Sequence, residues 1–121
     1  MTNTPTPRSF LPLTAAVFHV LLSLVDSTRH GYGISKDVAE RTAGDVKLGP
    51  GTLYGTLNRL VAAGLVREVP AGAEDAGSST EDDRGRRRYY ELTPLGREVV
   101  ALEAARLAHL VGLARAKAVI G

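Results

Sequence analysis

The feature that most constrains this chain is a helical apolar stripe that runs straight into a strand. Leu53, Leu57, Leu60, Val61 and Gly64 follow the i, i+4, i+7, i+8, i+11 spacing of one buried helix face. Pro50 suits a first helical position, where its missing N–H removes no hydrogen bond, and Gly64 suits the stop. Leu65 to Val69 then reads as a strand ended by Pro70, with Arg87 to Leu92 as its partner, since Tyr89 and Tyr90 favour extended backbone. The opposite helix face carries Thr52, Thr56, Asn58 and Arg59.

The elements on either side complete the plan. Leu13 to Val25 is a helix apolar around most of its circumference, with His19, Ser23 and Asp26 as a narrow polar stripe. Ser27 to Gly31 is a turn, and Tyr32 to Thr42 a second helix stopped by Gly44. Val46, Lys47 and Leu48 read as a very short strand. Thr93 and Pro94 cap a last helix that runs to about Val119. Its face from Val99 through Leu102, Leu107, Leu110 and Leu113 carries more apolar surface than a terminal helix on a small monomer needs, and Arg106 lies among these positions. These six residues are the expected dimerisation set.

The order is three helices, a two-stranded hairpin and a long helix, which is the plan of a winged helix-turn-helix: mainly α, with a small β-wing. The expected organisation is a loose Thr/Pro-rich arm at 1–10, a DNA-binding domain at 11–92 and a dimerisation helix at 93–121. Within the second of these, 71–86 is a wing tip without apolar period, expected to be flexible. The 121 residues suit one domain.

Composition narrows the function. No cysteine is present, which removes thiolate chemistry, disulfides and cysteine-ligated zinc and fits a cytoplasmic location. His19, His30 and His109 have no zinc spacing, and the acids Glu74, Asp75, Glu81, Asp82 and Asp83 lack the order and turn glycine of a calcium loop. No metal and no cofactor are expected. No serine sits in a glycine elbow and no dinucleotide fingerprint opens a helix, so no catalytic constellation is visible. Met1 to Phe10 lacks the blocks of a signal peptide, and Leu13 to Val25 is too short and too polar to span a bilayer, so no membrane partner is expected. The formal net charge of +2 is a weak argument for nucleic acid, and the distribution of charge matters more.

Several motifs together resemble PadR-type transcriptional regulators. His30-Gly31-Tyr32-Gly33-Ile34 resembles the opening of that family's second helix. Gly51-Thr52-Leu53-Tyr54, then Leu57, Arg59-Leu60 and Gly64-Leu65-Val66, resembles its recognition helix and the strand after it. Arg87-Arg88-Tyr89-Tyr90-Glu91-Leu92-Thr93, then Gly96-Arg97, resembles its second wing strand and the start of its last helix. The match runs from about Leu13 to Leu113 and points to the short branch with a single C-terminal helix. Gly55 departs from the family, where many members have proline, and the segment Ala71 to Arg86 is longer and more acidic than a typical wing tip. The resemblance implies a homodimeric repressor on double-stranded DNA with an inverted-repeat operator, relieved by a small hydrophobic or phenolic effector. The other reading is a winged-helix protein-interaction module without DNA binding, supported by the acidic segment and the small net charge.

On this plan the DNA-contact set is Tyr32 and Lys36 on the second helix, Gly51, Thr52, Tyr54, Asn58 and Arg59 on the third, and Arg84, Arg86 and Arg87 on the wing. A helix N-terminus favours a phosphate, Gly51 permits close approach, and Thr52 and Tyr54 add hydroxyls. Taken alone, Thr52 serves equally as a cap and Tyr54 as core edge; the surrounding plan favours contact. Asn58 and Arg59 have side chains able to read base edges, but a phosphate contact or a surface ion pair accounts for Arg59 as well. The arginine cluster can track phosphates, or stand as a solvated strand start balanced by Glu81, Asp82 and Asp83.

Overall fold

The structure, a computed structural model, describes residues 5–70 and 88–121. A 3-10 turn at Pro7–Phe10 leads to α1 (Ala15–Ser23), β1 (Arg29–His30), α2 (Gly31–Arg41), α3 (Pro50–Ala62), β2 (Val66–Val69), β3 (Tyr89–Leu92) and α4 (Pro94–Ala116). The described residues thus form a mainly helical fold with one small antiparallel sheet, as the winged-helix plan requires. The expected wing tip at 71–86 lies outside the described residues.

α1 has nine residues, too few for a helix that persists alone, since about 12–15 are needed even in good helix-forming sequences. Burial holds it instead. Val20 and Leu21 are fully buried and Leu24 nearly so, among Ile34 and Val38 of α2, Leu57 and Leu60 of α3, and Val99 of α4. Each such side chain contributes roughly 2 kcal/mol by leaving water. Thr14 caps the helix by accepting the Val17 N–H at 3.2 Å.

Four local readings change. Ser23, expected on a polar stripe, is fully buried; its hydroxyl donates to the Val20 carbonyl at 2.7 Å, so no polar group is stranded. Its own carbonyl accepts from Arg29 Nε at 2.7 Å. Residues 29–30, expected as part of a turn, form β1 and pair with β3, Arg29 opposite Tyr90 and His30 opposite Tyr89. Val46 to Leu48, expected as a short strand, is irregular because β1 takes that edge of β3 and the sheet order is β1-β3-β2. There the Val46 N–H donates to Thr42 Oγ1 and the Leu48 carbonyl accepts from Ser35 Oγ. The arm also differs: residues 7–10 form the 3-10 turn, and Phe10 and Leu11 pack against the core.

The joints between helices and strands use the expected chemistry. Gly64 has φ +82 and ends α3, after which the Leu65 N–H returns to the Leu60 carbonyl at 3.0 Å. Gly44 has φ +86 and returns its N–H to Ala39 at 2.8 Å. Thr93 joins the two ends of the wing. Its hydroxyl accepts the Gly96 N–H at 3.0 Å, capping α4, and donates to the Gly64 carbonyl at 2.6 Å. Its own N–H donates to the Leu65 carbonyl at 3.1 Å.

α4 holds one side chain that sequence reading passed over. Glu103 is 1% exposed within an otherwise apolar face. Its carboxylate accepts Arg106 Nε at 2.6 Å, Arg106 Nη2 at 2.8 Å and the backbone N–H of Leu13 at 3.1 Å. The Arg106 hydrogen bonds hold its carboxyl below the usual carboxylate range; burial opposes this, and the Leu13 N–H adds to it. A carboxyl depressed in the folded state stabilises the fold above its unfolded value and loses that contribution as pH falls through the folded value. Glu103→Gln is therefore expected to lower thermal stability at neutral pH and to flatten the acid limb of stability against pH. Thermal melts of both proteins from neutral to acid pH, with curves of unchanged shape, would show the tie to be inert.

Candidate nucleic-acid interface

The surface begins at the start of α2. His30 is its N-cap and accepts the Gly33 N–H on Nδ1 at 3.0 Å. The ring lies parallel to Tyr32, with centroids 6.3 Å apart, and edge-on to Tyr89 at 5.3 Å. The His30 cap and the β1 pairing thereby fix the first turn of α2 against the wing. Tyr32 remains 71% exposed, and Lys36 is exposed one turn farther along.

α3 supplies the rest. Leu53, Leu57 and Leu60 are buried as their spacing requires, and Thr56 joins them at 2% exposure although its polarity suggested the outer face. Its hydroxyl faces Arg59, which donates from Nη2 at 3.3 Å. Val61, expected in the stripe, is 38% exposed, since the stripe turns toward Thr56 instead. The outward arc holds Gly51, Thr52, Tyr54, Asn58 and Arg59. Gly49 is the N-cap and no side chain caps the helix, while Leu53 returns its N–H to Gly49 at 2.8 Å. The Gly51 and Thr52 N–H groups precede the first intrahelical bond and point out of the helix end, where the dipole favours an anion. A Cβ at Gly51 would meet nothing within 4 Å, so that end is open.

Tyr54 is 42% exposed and stands where α3 meets α2. Its ring lies across the start of α2, with the hydroxyl against Gly31. Tyr32 and Tyr54 face a shallow cleft of about 320 Å³ floored by Leu48, Pro50 and Leu53. Tyr90, buried in the core, has its phenol pushed up by burial first and by Glu68 and Tyr54 in addition.

The structure thus brings Tyr32, Lys36, Gly51, Thr52, Tyr54, Asn58 and Arg59 onto exposed parts of α2 and α3. Arg84, Arg86 and Arg87 lie outside the described residues. Among the described residues, Arg67 of β2 pairs with Glu91 of β3, and Arg88, just before β3, pairs with Glu68 of β2 at 3.1 Å. Such exposed pairs are worth about 0–1 kcal/mol each and exchange readily for another anion.

A second exposed surface is the far half of α4. Leu110, Val111 and Leu113 are exposed by 44%, 40% and 50%. Leu102 and Leu107 are half-buried. Val99, expected on the dimerisation face, is instead fully buried in the protomer's own core, because the first half of α4 packs on α1. Arg106 is held by Glu103 while its side chain stays 37% exposed. Beside this face a groove of about 290 Å³ runs between α1 and α4, lined by Leu22, Val25, Val100, Ala101 and Ala104, with Arg97 at its rim. Among the described residues no cluster of His, Asp or Glu side chains could hold a metal ion, and no helix is long and apolar enough to cross a membrane.

Comparison with known proteins gives this geometry a family. Residues 20–102 match the Transcriptional regulator PadR-like family. An uncharacterized 37.1 kDa protein in a transposon of Streptomyces fradiae is 41% identical over 93 residues, covering 77% of this chain. The matched part is 23% of that protein, so the chain corresponds to under a quarter of its length. A PadR family transcription regulator from Clostridium difficile has a similar fold, with a TM-score of 0.69, 22% identity, and coverage of 84% of this chain and 96% of that one. Bacillus subtilis PadR, solved in complex with operator DNA, is similar at a TM-score of 0.59 and 17% identity, covering 88% of this chain and 64% of that one. The match spans α2, α3, the wing and the first part of α4, the elements that carry the surface described above, and the chain belongs to the PadR-like family of transcriptional regulators.

Proposed function

We propose that this protein is a homodimeric repressor that binds an inverted-repeat operator through α3 and releases it when a small hydrophobic or phenolic molecule binds. The observation that carries the reading is the uncapped N-terminus of α3, open at Gly51 and flanked by exposed Thr52, Tyr54, Asn58 and Arg59, with Tyr32 and Lys36 beside it on α2. Main-chain N–H groups, hydroxyls and two cations on one surface suit phosphates along a groove, with Asn58 and Arg59 able to reach base edges. Arg84, Arg86 and Arg87 belong to the same proposal as further phosphate partners. The structural likeness to a PadR solved with operator DNA supports it. Two copies joined through α4 would offer two α3 helices to half-sites about one helical turn apart. The groove between α1 and α4 is apolar enough for an effector whose binding favours a dimer state that fits DNA less well.

A salt titration of binding to promoter DNA tests the reading. The wild type is expected to lose affinity steeply as salt rises. Replacing Lys36 and Arg59 with alanine is expected to lower the slope of log affinity against log salt by about two units, near 0.9 for each phosphate left without its cation. Thr52→Ala in the same assay is expected to cost about 1 kcal/mol on promoter and random DNA alike, the scale of one net hydrogen bond. A folded wild type with no salt-dependent DNA binding would favour the protein-interaction module instead.

A further inference from the structure

Gly31 is the first residue of α2, is buried, and has a φ that any L-residue can adopt. Its lack of a side chain therefore serves space, not backbone conformation. A Cβ placed there would stand 2.2 Å from the Tyr54 hydroxyl oxygen, 2.6 Å from Cζ and 2.9 Å from Cε1. Real carbon atoms do not approach so closely, so the Tyr54 ring occupies the volume that a side chain at position 31 would fill. The ring is anchored at its base by Leu53, 2% exposed in the core, and its outer part is 42% exposed. His30 fixes the other partner, since its hydrogen bond from Gly33 and the pairing of β1 hold the start of α2 in place.

We infer that Gly31 is a positioning residue for DNA binding: it is the seat on which Tyr54 of α3 docks against α2, and the bare backbone at Gly31 lets the two helices present one continuous surface. The inference rests on the DNA-binding reading and adds a residue that touches no DNA. Tyr54 is a long side chain on two torsions with a free outer edge, so a methyl group at position 31 would displace the ring outward instead of breaking the core. The displaced ring would enter the cleft beside Tyr32 and stand proud of the surface that carries Thr52 and Asn58. Fold and dimerisation would survive, while the fit to a duplex would not.

A double-mutant cycle with Gly31→Ala and Tyr54→Ala tests this, read by binding to promoter DNA and by the NMR resonances of the Tyr54 ring. Gly31→Ala alone is expected to weaken binding about tenfold, within the range over which contacting residues couple, with circular dichroism and dimer mass unchanged. In the Tyr54→Ala background the same change is expected to have no further effect, because the clash is gone. The Tyr54 ring resonances are expected to move in Gly31→Ala. Wild-type affinity in Gly31→Ala, or two losses that simply multiply, would overturn the proposal. The ring resonances separate it from the reading it rests on. If the wild type binds no DNA, the DNA-binding reading fails and the positioning role falls with it, while moved resonances would keep the seat as a packing contact. Unmoved resonances would remove the seat itself.

Discussion

Charging the exposed face of α4, with Leu110→Glu and Leu113→Glu together, is expected to give a folded monomer with much weaker operator binding. Both side chains are close to half exposed, and neither belongs to the protomer's core, so the change leaves the fold of one chain untouched. Between two copies, the same positions would bring like charges together in an apolar contact and leave them without partners, which is strongly unfavourable. Loss of the proposed dimer would turn one two-handed binding event into two independent ones. Avidity of this kind is worth on the order of a hundredfold to ten-thousandfold, so operator affinity should fall by that much while contact by a single head persists. Sedimentation measures the mass and a gel shift measures the affinity. A variant that stays dimeric at micromolar concentration would move the interface elsewhere, most directly to the groove between α1 and α4.

The largest effect on stability is expected from Gly96→Ala. A Cβ at this position would lie 2.0 Å from the Leu65 carbonyl oxygen, 3.0 Å from its carbon and 3.1 Å from Leu92 Cδ2. Unlike the contact at Gly31, this one is with main chain at the start of the wing, which cannot swing aside. The Leu65 carbonyl also accepts the Thr93 N–H, so moving it breaks a further bond. Overpacking of a rigid site costs roughly 3 kcal/mol. In a chain of this size that corresponds to a fall of about 10 °C in melting temperature, measurable by calorimetry. A melting temperature within a degree or two of the wild type would mean that α4 slides off the wing without cost.

What the sequence made legible and what it did not divide along the range of the forces involved. Pro94, Pro50, Gly44 and Gly64 act on their own turns, as does the capping bond of Thr93, and these roles follow from local hydrogen bonding and from φ alone. β1 is two residues long and exists only because β3 offers an unpaired edge, so nothing in Arg29-His30 announces it. Ser23 and Thr56 looked like surface residues by polarity. Each is buried because a local partner satisfies its hydroxyl, the Val20 carbonyl in one case and the Arg59 side chain in the other. Val99 and Leu113 share an apolar character but not a fate, and only the packing of α1 on the near half of α4 tells core from exposed face. Glu103 carried one local signal, an arginine three residues on, but its main-chain partner at Leu13 lies 90 residues away in sequence. The outward arc of α3 was readable from periodicity, whereas the docking of Tyr54 on Gly31 depends on how two helices meet.

The hydroxyl of Thr93 sets the end of α3 and the beginning of α4 on one shared pin. From that pin α4 extends for 23 residues, about 35 Å at the rise of an α-helix. The near half of the helix is held against α1 and Leu13, and its far half, with Leu110 and Leu113, stands clear of the core. A tilt of roughly 5° at the pin carries the far end through about 3 Å over such a length. Because the near half of α4 is packed on α1, a displacement of that size at the far end would turn the winged-helix domain by the same few degrees. Coupling between the two ends would then need no chain of altered side chains between them, only a helix that stays stiff over its length.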